Sequence, residues 1–272
     1  MEVRDKVAIV TGAAGGIGAA LAHQFLEAGA RVLVSDIDDD KVHATAGRLE
    51  QVAGVGTVAA VAGDAADPGT IAEMVAVAER ELGPVDIFVA NAGVGEAAGL
   101  AADEDQWRLG LEVNLLAHVR AARVMVPGWL ERGNGYFVST ASAAGLLTQI
   151  GSVVYSVTKH GAVAFAEWMA VTYGDKGIGV SCLCPMGVDT DLLNGGLQED
   201  APGGGQAARA VTGAGVVLDP RTVAEDVLVA ISEERFLILP HPEVREFARR
   251  KTEDPDRWIR GMQRYARTLA EH

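Results

Sequence analysis

A chain of 272 residues, nearly half of them apolar, is long enough to bury a sizeable core within one large domain. Its 37 acidic against 23 basic residues leave a formal charge of −14, a balance that repels nucleic acid and anionic membrane surfaces. No uninterrupted apolar run approaches bilayer length, and the first residues lack an apolar segment ahead of a cleavage site, so the expected compartment is the cytoplasm.

In chain order, short β-branched runs alternate with longer segments of helical periodicity. Strands are expected at Val7–Val10, Arg31–Ser35, Gly56–Val61, Val85–Ala90, Gly135–Ser139, Ile178–Leu183 and Phe236–Leu239. Helices are expected at about 17–28, 39–52, 69–82, 103–131, 153–174 and 221–233. Such alternation implies a parallel sheet covered on both faces. Right-handed crossovers then make it a doubly wound, Rossmann-like α/β fold of seven strands in a single domain spanning residues 1–272.

After the first strand comes Thr11-Gly12-Ala13-Ala14-Gly15-Gly16-Ile17-Gly18, followed by an apolar-periodic helix. A glycine-rich turn at that place lets backbone N–H groups approach a pyrophosphate, and the helix N-terminus adds partial positive charge. The second strand ends at Asp36, 18 residues beyond Gly18. A carboxylate there can accept hydrogen bonds from both adenosine ribose hydroxyls and would repel a 2′-phosphate; Ile37 offers no cation to bind one. The expected cofactor is therefore NAD. Asp64, just past the third strand, could meet the adenine edge or could equally be a turn acid.

The fourth strand runs into Asn91-Ala92-Gly93, at the strand end where an open α/β sheet binds its ligand. The fifth runs into Ser139-Thr140-Ala141-Ser142, and Tyr155 and Lys159 follow one turn apart on a helix. A free phenol has a pKa of about 10, and a nearby ammonium together with an oxidised nicotinamide would lower it. The pair could then exchange a proton with an alcohol oxygen. Cys182 and Cys184, spaced C-x-C on one strand face, read as reduced core thiols, and no metal site is expected.

Two segments break the alternation. Residues 194–215 carry seven glycines and read as a long loop, so 190–215 is expected to be a substrate lid, with Arg209 as a cation that could swing in. Residues 243–272 read as a charged helical extension interrupted at Pro255, with Trp258, Met262 and Tyr265 forming a packing stripe. Pocket walls are expected from 93–97, 143–154, 186–188 and the lid, mostly small or apolar: Val94, Ala143, Leu146, Leu147, Val153, Met186, Leu192 and Leu193.

These motifs, in order across residues 7 to 190, resemble the short-chain dehydrogenase/reductase family: the Thr11–Gly18 turn, the Asn91–Gly93 triplet, Asn114, Ser142, Tyr155 and Lys159, with 13 residues from Ser142 to Tyr155. The resemblance implies an NAD-dependent oxidoreductase interconverting a small-molecule secondary alcohol and its ketone. It assigns Tyr155 the acid–base role, Ser142 the stabilisation of the substrate oxygen, and Lys159 the nicotinamide ribose as well as the lowered phenol pKa. Asn114 would bend its helix and hold a water in a proton relay. Pro185, Gly187, Val188 and Thr190 would border the nicotinamide, although Met186 stands where the family usually has glycine. The long helices at 103–131 and 153–174 would form a dimer face, giving a homodimer or homotetramer. Two other readings stay open: a carrier-linked 3-hydroxyacyl/3-oxoacyl oxidoreductase, and a non-catalytic NAD(H)-sensing module, since fold alone never establishes activity.

Overall fold

Residues 1–195 and 204–270 are described by a computed structural model of the chain. Its first half alternates strand and helix: β1 (Val7–Thr11), α1 (Gly16–Glu27), β2 (Arg31–Asp36), α2 (Asp39–Ala53), β3 (Val58–Ala62), α3 (Pro68–Glu81) and β4 (Ile87–Ala90). Acid caps start two of these helices. Asp38 accepts the Lys41 N–H ahead of α2, and Asp67 accepts the Thr70 N–H ahead of α3, where Pro68 also presets the first helical turn.

The expected helix over 103–131 is three pieces: α4 (Glu104–Leu111), a π-helical turn (Glu112–Leu116) and α5 (Ala117–Arg132). The break centres on Asn114, whose buried side chain bonds to loop and helix partners far away in sequence. A wider turn lets the side chain reach them without unwinding the flanking helices. The chain continues through β5 (Gly135–Thr140), α6 (Ala144–Leu147), α7 (Val153–Tyr173), β6 (Ile178–Leu183) and α8 (Asp191–Gly195). Last come α9 (Gly204–Thr212), α10 (Pro220–Ser232), β7 (Leu237–Ile238), α11 (Glu243–Glu253) and α12 (Pro255–Ala270).

The segment 194–215 is thus not the continuous loop that its glycines suggest, because Gly204–Thr212 is helical. Residues 196–203 of the expected lid lie outside the described residues.

Seven parallel strands pair in the order β3-β2-β1-β4-β5-β6-β7. Alternate residues of each strand feed opposite cores. Val7 and Ile9 pack with α3, α5 and α7 on one face, and Ala8 and Val10 with α1 and α10 on the other. Burial on both faces explains why the strands read as continuous apolar runs. Trp129, fully buried, closes the first core and donates its indole N–H to the Val85 carbonyl at 2.9 Å. No described helix is long and apolar enough to cross a membrane.

Candidate active site

The strand order reverses between β1 and β4, so their following loops diverge and open a cleft at the carboxyl ends of the strands. A cavity of about 1100 Å³ occupies it. Gly12 (φ 63°) and Gly16 (φ 52°) hold the turn after β1 in the left-handed region. A Cβ on Gly12 would lie 2.8 Å from Ala92 Cα, and one on Gly16 would lie 3.0 Å from Thr190 Cγ2. Gly15 lines the cavity with no atom within 4 Å of where its Cβ would be, and no side chain caps α1. The N–H groups of that helix start are therefore bare toward the cleft. Gly18 has a different reason: its Cβ would meet the Gly12 carbonyl oxygen at 2.1 Å, so close packing of α1 on the turn demands glycine there. Ile17 also lines the cavity.

Asp36, at the end of β2, lines the same end. Its carboxylate accepts the Ala14 N–H at 3.0 Å and the Asp38 N–H at 3.2 Å, which fixes both oxygens beside the glycine turn. Sequence reasoning overlooked Lys41, which lines this end too; its ammonium is 3.2 Å from the Asp38 carboxylate. Asp64 does not line the cavity. Its carboxylate accepts the Ala66 N–H at 2.8 Å, the turn-acid reading of that residue.

Asn91 binds the two sides of the switch together. Its Nδ2 donates to the Thr11 and Gly12 carbonyls at 2.9 and 3.3 Å, while Thr11 Oγ1 accepts the Asn91 and Ala92 N–H groups. Its amide is thus engaged in holding the turn. Gly93 lines the cleft, and a Cβ there would sit 3.3 Å from Asn114 Oδ1 and 3.4 Å from Lys159 Nζ. Those two groups accordingly flank one point. Asn114 itself exchanges two hydrogen bonds with the Val94 backbone, both 2.9 Å, and donates to Thr158 Oγ1 at 3.2 Å.

Ser142, just past β5, and Tyr155 and Lys159, in the first two turns of α7, all line the cavity. Lys159 Nζ donates to the Thr140 carbonyl at 2.9 Å and lies 5.6 Å from the Tyr155 ring centroid. Burial pushes the Lys159 ammonium down to about 8. Burial pushes the Tyr155 phenol up, opposed by its hydrogen bond with the Ser142 hydroxyl. The Lys159 ammonium sits over the Tyr155 ring, and in the protein alone desolvation is the largest influence on the phenol.

Glu96 lines the cavity within the expected 93–97 wall, but its second role was not foreseen. Its carboxylate accepts the Val154 N–H at 2.9 Å and the Ala98 N–H at 2.8 Å, and its carbonyl accepts the Ser152 hydroxyl. It therefore caps α7 one residue before Tyr155, a task that Ser152 does not perform with its own side chain. Nothing local marks it, because the partners lie 58 residues apart.

Pro185, Met186, Val188 and Thr190 also line the cavity, Thr190 lying against the glycine turn at Gly16. Gly187 does not; its carbonyl accepts the Leu218 N–H at 2.9 Å, beside a Val188–Leu218 bridge. Of the expected wall, Ala143, Leu147, Met186, Leu192 and Leu193 are present, whereas Val94, Leu146 and Val153 are not. Arg209 points away from the cleft, donating to the Leu269 carbonyl at 2.9 Å. Cys182 and Cys184 are buried free thiols with sulfurs 3.8 Å apart.

A dinucleotide fits these residues. The uncapped helix start suits a pyrophosphate, and Asp36 suits a ribose. Thr140, which lines the cavity, holds a buried hydroxyl with no partner among the described residues, so a bound group could satisfy it.

The family model for short-chain dehydrogenases matches residues 6–200. Over 249 residues the chain is 34% identical to 1-deoxy-11-beta-hydroxypentalenate dehydrogenase of Streptomyces exfoliatus, covering 90% of this chain and 86% of that protein. Its fold is similar to a short-chain dehydrogenase/reductase of Burkholderia phymatum in complex with NAD. That match has a TM-score of 0.85 and 28% identity, over 94% of this chain and 96% of that one. It is also similar to L-sorbose reductase of Gluconobacter frateurii, complexed with NADPH and L-sorbose, with a TM-score of 0.77 and 27% identity over 88% and 97% of the two chains.

Proposed function

The chain belongs to the short-chain dehydrogenase/reductase family of nicotinamide-dependent oxidoreductases, and on that premise we propose that it interconverts a secondary alcohol with an apolar body and its ketone, using NAD. The observation that carries this reading is that Ser142, Tyr155 and Lys159 line one cleft, with Lys159 Nζ 5.6 Å from the Tyr155 ring centroid. When bound, the coenzyme supplies the hydride acceptor or donor and, oxidised, a positive charge at the reacting end. The Gly12–Gly18 turn and the start of α1 would hold its pyrophosphate, Asp36 its adenosine ribose, and Lys159 its nicotinamide ribose.

In the oxidation direction Tyr155 takes the proton of the substrate hydroxyl, and in reduction it returns one to the carbonyl oxygen. Ser142, whose hydroxyl donates to the Pro185 carbonyl at 3.4 Å before ligand arrives, turns to the substrate oxygen and holds it as its charge develops. Since burial alone raises the phenol, its ionisation depends on cationic charge gathered in the site once ligands are present. Asn114, which flanks one point at Gly93 together with Lys159, would hold a water through which the proton passes on from Lys159. NAD rather than NADP is favoured by the fixed Asp36 carboxylate and by the pairing of Lys41 with Asp38.

Tyr155→Phe tests the assignment: NADH binding should be retained while kcat falls ~10²–10⁴-fold, the usual worth of a positioned acid–base group. In the unaltered enzyme the oxidation rate should climb with pH as the phenol ionises. Substantial turnover by the Phe variant, or a flat pH profile, would contradict the role.

A further inference from the structure

The family match ends at residue 200, yet the cavity does not. Past Tyr155 it continues into a room whose outer wall is built by α9 and α12. Trp258, Met262 and Tyr265 line that wall at i, i+4 and i+7, one face of α12. Phe247 of α11 lines it too, its ring 6.2 Å from that of Trp258. Hydrogen bonds make this wall a fixed part of the fold. The Tyr265 hydroxyl donates to the Ala210 carbonyl at 3.1 Å, Gln206 Nε2 to the Ala266 carbonyl at 3.1 Å, and Arg209 to Leu269. Gln149 Nε2 ties the other side of α9 through the Ala207 carbonyl at 3.1 Å, and Lys251 ties α11 to the Leu146 carbonyl at 2.6 Å.

The charges of the cleft lie mostly elsewhere. Asp36, Asp38 and Asp191 gather around Lys41 at the coenzyme end. Of those remaining beside Lys159, Glu96 is engaged by two backbone N–H groups, and Arg250 is bound to Glu246 at 2.7 Å. Among the described residues that line the cleft here, a carrier arm's phosphodiester would find only that already paired arginine.

From this we propose that the aromatic face of α12 is a substrate-binding surface, and that it selects a rigid, fused-ring alcohol or ketone without charge. The inference rests on the oxidoreductase reading for its chemistry and on the wall for its selectivity. The large apolar rings of Trp258 and Phe247, tilted 43° to one another, give a broad wall that a wide ring body covers more fully than a thin chain. A rigid body also gives up no internal rotors on entry, whereas a flexible chain must freeze its own. The wall is pinned before ligand arrives, so a preformed shape does the selecting.

The test compares 2-decalol, a fused-ring secondary alcohol, with cyclohexanol as substrates in the presence of NAD, and follows 2-decalone binding to the NADH-loaded chain by tryptophan fluorescence. The ratio of kcat/KM for 2-decalol over cyclohexanol should exceed tenfold and should fall tenfold or more in both Trp258→Ala and Met262→Ala. Saturable 2-decalone binding that weakens tenfold in Met262→Ala, which leaves all four tryptophans in place, would support the surface even if neither alcohol turns over. In that case the catalytic reading would fail alone. A ratio unchanged by both substitutions, or 2-decalone binding indifferent to them, overturns the inference.

Discussion

His118 provides a measurement of stability against pH that depends on the geometry of the site. It lies on α5 at 1% exposure, with Nδ1 2.9 Å from Ser139 Oγ and Nε2 without a partner among the described residues. Burial, followed by the Lys159 charge, pushes its pKa from 6.5 down to about 3. The folded-state value of a base is thus depressed. Below pH 6.5 the unfolded chain takes up a proton that the native chain refuses until about pH 3, so stability falls with falling pH across that window.

Every tenfold difference in proton affinity between the folded and unfolded histidine is worth about 1.36 kcal/mol, so the whole interval from 6.5 to about 3 amounts to about 5 kcal/mol at the acid end. By pH 5, less than halfway down that interval, about 2 kcal/mol is already lost. The perturbation is His118→Gln, which keeps a polar group for Ser139 and cannot be charged. Urea unfolding of both proteins at pH 7.5 and pH 5 gives four free energies, and the difference of differences cancels carboxylates common to both chains. The histidine protein should lose about 2 kcal/mol more than the glutamine variant between the two pH values. Parallel losses, within ~0.5 kcal/mol, would show that His118 is neither dry nor beside a positive charge.

The Asp36 carboxylate predicts a kcat/KM preference for NAD over NADP of tenfold or more, about 1.4 kcal/mol. Asp36→Ala combined with Ile37→Arg should erase it, and equal use of both coenzymes by the unaltered enzyme would refute the reasoning. Association is expected as well. Val157, Trp168 and Val171 on α7 and Leu109 on α4 are large apolar side chains exposed on the single chain. Sedimentation at micromolar concentration should find a dimer or tetramer, and Trp168→Glu should weaken it; a monomeric unaltered protein would end that expectation.

Local pattern was enough to read the framework from sequence. Continuous apolar runs between amphipathic segments report burial on both sheet faces, and a glycine turn directly after β1 reports the switch point, because both signals lie within a few neighbouring residues. For the same reason Asp36 and the one-turn spacing of Tyr155 and Lys159 were legible, and the structure places all three along one cleft.

Contacts between distant segments are different. Nothing near Glu96 announces that it caps α7, and the π-helical turn at Asn114 follows from bonds to Val94 and Thr158, 20 and 44 residues away. The stripe of Trp258, Met262 and Tyr265 is visible as a helical face, but periodicity cannot say what a face meets. Only the folded chain brings it over the substrate end of the cavity. The Tyr155 phenol is the sharpest case. Spacing puts a lysine beside it, whereas its ionisation is set by how much water the whole fold excludes, and that depends on surfaces contributed by every surrounding element.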